Sequence, residues 1–200
     1  MRMPRFMALF PIVCGLTACD ALSPPAPKQY TWTEDVTLDS SSIRVRRVVA
    51  ISESNSWSGD AHSVVETGSR IEFMDALASL PQWTETLRPI VLYRDMDTSE
   101  WVVVASTSSC DVWRQAGKPK PPYWEYRLRE HHWERVPLSE TSLGRRANLA
   151  QSYRAVAGAG HLTPELRAQL DSPAGRFRTF RAVNPDPNQA FCGEGYSSKP

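Results

Sequence analysis

Tyr30-Thr31-Trp32-Thr33-Glu34-Asp35-Val36-Thr37-Leu38 is the stretch that decides the fold. Successive side chains of an extended chain point to opposite faces, so Tyr30, Trp32, Val36 and Leu38 share one face while Thr31, Thr33, Asp35 and Thr37 share the other. That alternation predicts a half-buried β-strand. Asp39-Ser40-Ser41 is a turn signal, because short polar side chains bond the local backbone, and residues 43–51 follow as a β-branched run. A first hairpin is expected here.

The same logic extends outward. Residues 89–94 and 101–106 flank the polar turn 95–100 and predict a second hairpin. A third pairs 123–129 with 133–138, since Trp124, Tyr126 and Leu128 alternate with Glu125, Arg127 and Arg129; its turn, near Glu130-His131, lacks the glycine such turns prefer. Residues 52–68 read as a polar loop, 70–73 as a short strand, and 75–80 as a helical turn stopped by Pro81. After Pro137 the strand signal fades. Thr163-Pro164-Glu165 opens a short helix to about residue 170, with threonine as N-cap and proline at the first helical position. Residues 177–183 read as a returning strand and 184–188 as a loop. The expected fold is mainly β: an antiparallel hairpin meander, as a sandwich or an open barrel, with minor short helices. One β-rich domain is expected over 30–192, with a flexible tail at 193–200.

The N-terminus has a different character. Arg2 and Arg5 precede an apolar run over 6–16 that has signal-peptide length and is too short to span a bilayer. Leu16-Thr17-Ala18-Cys19 resembles the lipobox of bacterial lipoproteins, in which an aliphatic residue and two small residues precede the cysteine that is lipidated and becomes residue one. The resemblance implies a signal peptide over 1–18, an acylated Cys19, and a membrane anchor; a single acyl chain gives only marginal binding, and the family's multiply acylated cysteine meets that need. Asp20 resembles the signal that retains lipoproteins in the inner membrane of enteric bacteria. Residues 21–29 (ALSPPAPKQ) hold three prolines and form an extended tether, with a reach of about 35 Å at most for about ten residues. The expected location is the cell envelope, lipid-anchored and facing the periplasm.

Charge supports a lipid anchor over an electrostatic one. The 200 residues carry 23 lysines and arginines against 22 acids, and loss of residues 1–18 removes two arginines and no acid. A near-neutral mature chain offers no overall electrostatic footprint for nucleic acid, and no polybasic run that would hold anionic lipid. Of the four cysteines, Cys14 leaves with the signal and Cys19 is lipidated, so Cys110 and Cys192 remain as an even pair. In an oxidising compartment they are expected to join, stabilising the fold by roughly 4 kcal/mol in the chain-entropy model; the alternative is two free thiols.

A second resemblance covers roughly residues 30–150. Leu80-Pro81-x-Trp83, Trp101-Val102-Val103-Val104-Ala105, Cys110, the run Lys118-Pro119-Lys120-Pro121-Pro122-Tyr123-Trp124-Glu125-Tyr126-Arg127-Leu128, Trp133-x-x-Val136-Pro137-Leu138 and Gly144-Arg145-x-Ala147-Asn148-Leu149 resemble a group of small proteobacterial proteins. That group carries no activity assignment, so the resemblance transfers no catalytic residue. Its hairpin turns often hold Asp-Gly, whereas this chain has Asp39-Ser40-Ser41 and Glu130-His131.

Few residues suggest chemistry. His131 and His132 are adjacent, so on a strand they point to opposite faces and suit one metal ion poorly. Asp95-x-Asp97-x-Ser99 resembles the start of a calcium loop, but Glu100 stands where glycine is needed and Ser106 where a bidentate glutamate belongs. His62, Ser63 and Glu66 are close in sequence, which is not triad geometry. Nucleophile-elbow, zinc-helix, Walker A and Cys-x-x-Cys patterns are absent. No enzyme activity, cofactor or metal is expected. Pro119-x-x-Pro122 has the minimal spacing of a polyproline ligand, against the plainer reading of a stiff lead into the next strand. Trp113, Tyr123, Trp124 and Trp133 make this the most aromatic region; the reading is core packing, with exposure as a partner-binding patch the alternative. The expected function is therefore a membrane-anchored protein-binding or structural module with an unidentified envelope protein as partner. The alternatives are an exclusion or immunity lipoprotein of a mobile element, and a hydrolase or carbohydrate-binding domain using the aromatics to stack on sugar.

Overall fold

The structure is a computed structural model in which residues 27–55, 62–156, 158–170 and 180–192 are described. The signal segment, Cys19, residues 20–26 of the tether and the 193–200 tail lie outside the described residues, while Lys28 and Gln29, read as tether, begin the first strand.

Among the described residues nine strands form two sheets. The first sheet holds β1 (Lys28–Thr37), β2 (Ser42–Asn55), β3 (His62–Phe73), β4 (Trp83–Glu85) and the two-residue β9 (His161–Leu162), in the order β4-β3-β2-β1-β9. The second holds β5 (Arg88–Arg94), β6 (Trp101–Ser106), β7 (Tyr123–Arg129) and β8 (His132–Val136) in sequence order. Every pairing is antiparallel except β1 with β9. Three short helices connect them: α1 (Cys110–Gln115), α2 (Tyr153–Val156) and α3 (Pro164–Leu170). The mainly β, antiparallel architecture expected from the sequence is what forms, and the two separate sheets make it a sandwich.

Each of the three expected hairpins is present. Of the expected loop over 52–68, residues 56–61 lie outside the described residues and the rest is strand. β2 continues to Asn55 and β3 starts at His62, with Asn55 paired to His62, so these polar residues lengthen the β2–β3 ribbon. Interstrand backbone hydrogen bonds hold such a ribbon without apolar alternation, which is why side-chain pattern missed it. Residues 70–73 are the end of that strand rather than a separate one. The expected helical turn before Pro81 is a single 3-10 turn, Asp75–Leu77. Thr163 caps α3 as expected, its Oγ1 accepting from the Leu166 amide at 3.3 Å.

The sheets meet face to face. Val36, Val45, Ile71, Phe73 and Trp83 from the first sheet pack against Leu92, Trp101, Val103, Trp124 and Tyr126 from the second. At the other end of the first sheet, Trp32, Val49 and Ile51 are covered instead by Ala150, Tyr153, Val156 and Leu162. The outer face of the second sheet is also buried: Ile90, Val91, Tyr93, Val102, Val104 and Tyr123 lie under Leu138, Leu143, Ala147, Phe180 and Val183. A sheet covered on both faces needs continuous rather than alternating apolar strands. Trp101-Val102-Val103-Val104-Ala105 satisfies this, and β6 is buried along its whole length.

Candidate anion-binding groove

The covering segment that crosses the outer face of the second sheet builds a groove where the two sheets meet. Gly144 turns this segment with φ of 76°, a conformation that suits a residue without a Cβ. Its backbone then pairs with the C-terminal segment: the Gly144 amide donates to Val183 O at 2.7 Å, the Ala147 amide to Arg181 O at 2.9 Å, and the Val183 amide to Arg145 O at 2.9 Å. Asn148 fixes the far end. Its Oδ1 accepts from the Leu92 amide at 2.9 Å, and its Nδ2 donates to Leu92 O at 2.7 Å and Thr37 O at 2.9 Å, tying the end of β1 to β5.

The result is a groove of about 600 Å³ whose lining includes Leu38, Val91, Tyr93, Ala147 and Ala168 together with Arg145, Arg146, Arg167 and Arg181. Asp39 is the one carboxylate among the described residues of its wall. Arg145 is fixed in place: Nε donates to Thr141 O at 2.8 Å, Nη1 donates to both Asp39 oxygens at 3.1 and 3.0 Å, and the guanidinium lies 3.7 Å from the Tyr93 ring centroid. Asp39 is thereby committed to Arg145. Arg167 reaches from α3 to donate to Asn148 O. Arg146 and Arg181 are exposed, and among the described residues neither they nor Arg167 has a carboxylate within ion-pairing distance. Arg146, Arg167 and Arg181 thus bring guanidiniums from three segments to one groove, with no carboxylate paired to them among the described residues.

The residues singled out from sequence lie elsewhere. Trp113, Tyr123 and Trp124 are buried and Trp133 is partly covered, so these four do not form an exposed patch. Trp113 Nε1 donates to Pro119 O at 3.0 Å and Trp133 Nε1 to Pro81 O at 3.0 Å, while Ser106 Oγ donates to Pro122 O at 2.6 Å. Both carbonyls of the Pro119-x-x-Pro122 stretch thus serve the domain itself. Cys110 and Cys192 come together at disulfide distance, with Cα atoms 5.8 Å apart. Asp95 closes its hairpin turn by accepting from the Asp97 and Thr98 amides at 3.0 and 3.3 Å, and it pairs with Arg127 at 3.0 Å. His131 sits in the β7–β8 turn, and His132 contacts Glu134 at 2.8 Å. Glu66 is held by Arg88 at 2.7 and 3.1 Å; the side chains of His62 and Ser63 are outside the described residues. Among the described residues no three His, Cys, Asp or Glu side chains are grouped to hold a metal ion.

Two buried ionic groups also escaped the sequence reading. Glu34 pairs with Arg47, and Arg127 gathers Asp95, Glu100 and Glu125. Glu125 is fully buried; burial pushes its carboxyl up, but the Ser139 amide, the Ser139 and Ser142 hydroxyls and Arg127 outweigh this and hold it below the usual carboxylate range. The members of each group are committed to one another and serve the fold. The groove had one local hint, Arg145-Arg146 after Gly144; Arg167 and Arg181 join it only through the fold.

No family model matches this chain, and no curated protein and no solved structure is significantly similar to it.

Proposed function

We propose that this chain is an envelope lipoprotein, held at a membrane by lipid on Cys19, whose β-sandwich is a non-enzymatic module that binds an anionic partner in the arginine groove. The groove carries this reading: it gathers unbalanced guanidiniums on a chain whose total charge is near zero, so the charge is localised where a ligand has room. Its position suits a tethered protein. β1 starts at Lys28, next to the tether, and ends at Thr37 on the groove wall. Ten extended residues span about 30 Å, so the groove lies that far along β1 from the anchored end. The surface offers little else: the large apolar side chains exposed among the described residues are Val65 and Met96, which favours charge over an apolar patch as the means of recognition. Burial of Trp113 and Trp124 and partial cover of Trp133 give the sugar-stacking alternative less support.

Intact mass of the membrane-extracted protein, with membrane fractionation, tests the anchor. The expected result is a mature chain beginning at Cys19 with acyl chains attached, and a Cys19→Ala protein that leaves the membrane fraction unacylated. A wild-type product that is soluble and unlipidated overturns the anchoring.

A further inference from the structure

Resting on the groove as the binding face, we infer that its ligand bears a phosphate group, as a phosphate ester or diphosphate, and that Arg146, Arg167 and Arg181 are the groups that bind it. The argument starts from charge. Asp39 already neutralises Arg145, and among the described residues the other three guanidiniums have no carboxylate paired to them. A monocarboxylate brings a single charge and two coplanar oxygens, so it pairs with one guanidinium fork and leaves the others unmet. Arg146 lies in the covering segment, Arg181 in the C-terminal segment paired beside it, and Arg167 on α3. Donors arriving from three segments suit a group that presents oxygens in three dimensions and carries up to two charges. A phosphate does both, and the guanidinium fork matches its oxygens.

Volume and lining add a second constraint. A groove of about 600 Å³ is within the range of organic-ligand sites and larger than a bare phosphate requires. Leu38, Val91, Ala147 and Ala168 line it beside the arginines, so the phosphate is attached to a less polar body that lies against them. Arg145 has a positioning role. Stacked on Tyr93 and bonded to Thr141 and Asp39, it fixes the wall from which Arg146 projects. A soluble phosphate ester and the headgroup of an anionic phospholipid share this chemistry.

The experiment titrates the protein with glycerol 3-phosphate, pyrophosphate and citrate by calorimetry at low and physiological salt. It also measures co-sedimentation of the Cys19→Ala chain with vesicles of phosphatidylglycerol or of phosphatidylcholine. Each arm is repeated with Arg146→Ala/Arg181→Ala; both side chains are exposed and outside the core, so the unliganded melting temperature of this variant should match the parent and separate lost binding from lost folding. The expected result is binding of the phosphates at least tenfold tighter than citrate, weakened tenfold or more by the double substitution and by added salt. Glycerol 3-phosphate binding with no preference for phosphatidylglycerol vesicles assigns a soluble ligand; the reverse assigns a headgroup. Citrate binding as tightly as the phosphates, with loss in the double variant, overturns the phosphate assignment and leaves the groove as an anion site. Absence of binding in every arm, or binding that the double substitution does not change, overturns the groove reading together with the inference.

Discussion

Glu34 and Arg47 form an ion pair inside the sandwich: Oε1 accepts from Nη1 at 2.9 Å, and each side chain is 1% exposed. Glu34 lies on β1 between Trp32 and Val36, whose two faces of core are covered by different parts of the chain. The pair therefore sits at the seam between the two covers. Glu34 Oε2 also accepts from the Ala150 amide at 2.9 Å, and Arg47 contacts Ser69 Oγ at 3.4 Å with its guanidinium 5.4 Å from the Trp32 ring. Burial draws the Arg47 guanidinium down from its ordinary value and Glu34 opposes this.

Removing one partner leaves the other charge buried and unmet. Glu34→Gln or Arg47→Met is expected to cost about 3–5 kcal/mol, whereas Glu34→Leu/Arg47→Met together should lie within about 1–2 kcal/mol of wild type, because the desolvation cost disappears with both charges. Urea denaturation of the three variants measures this. Equal losses in the single and double variants would show that the pair itself, not an orphaned charge, sets the cost.

Arg127 gives the fold an acid sensitivity of known sign. It pairs with Asp95 at 3.0 Å, Glu100 at 2.8 Å and Glu125 at 2.7 Å. The carboxyls of all three are held below their ordinary values: Glu100 chiefly by Arg129 and Arg127, Asp95 and Glu125 against the upward pull of burial by hydrogen bonds and Arg127. Carboxyls with depressed folded-state pKa values stabilise the fold fully above their unfolded values, and that stability is lost as pH falls through the folded ones. The urea midpoint should accordingly be flat near neutrality and fall below about pH 4. Arg127→Gln should lower the neutral-pH stability by about 3–5 kcal/mol and move the acid loss to higher pH. A variant whose profile is merely lowered in parallel would remove Arg127 as the cause.

How much of this was legible beforehand follows from range. β7–β8 left a period-two pattern and β5–β6 two apolar runs around a polar turn, and both hairpins formed where those local signals put them. Glu34 looked like an interruption of the apolar face because its partner is on the next strand and its second bond comes from Ala150, more than a hundred residues on. Glu125 read as the wet side of β7, yet it is buried, because the segment over 139–142 returns to bond its carboxylate through Ser139 and Ser142. Arg167 and Arg181 were not legible as partners of Arg145-Arg146 for the same reason: the fold brings them there, through the Asn148 clamp and the bridge between Arg146 and Ala182.

The β7–β8 turn can be improved. Glu130 and His131 have φ of 45° and 64°, the left-handed pair of a two-residue hairpin turn, and neither residue type favours it. Glu130→Asn/His131→Gly supplies the preferred residues and should add about 1 kcal/mol, raising the melting temperature by roughly 2–4 °C in a chain of this size. Calorimetry settles it; an unchanged or lower midpoint would mean that the lost side chains contribute more than the relieved backbone.

The Cys110–Cys192 link closes a separation of 82 residues and joins α1 to the segment that covers the second sheet. In the chain-entropy model such a loop is worth about 4 kcal/mol, so Cys110→Ser/Cys192→Ser should lose that amount in urea denaturation. The loss should also be local. Phe180 packs on the Tyr123 ring at 5.2 Å, Tyr123 Oη donates to Gln189 at 2.7 Å, and Val183 bonds to Arg145 O. This segment also carries Arg181 to the groove. Without the link, hydrogen exchange over 180–192 should accelerate ahead of global unfolding, and the amides of Ala147 and Val183 should lose protection with it. Uniform acceleration across both sheets would instead show that the link acts on the unfolded chain alone.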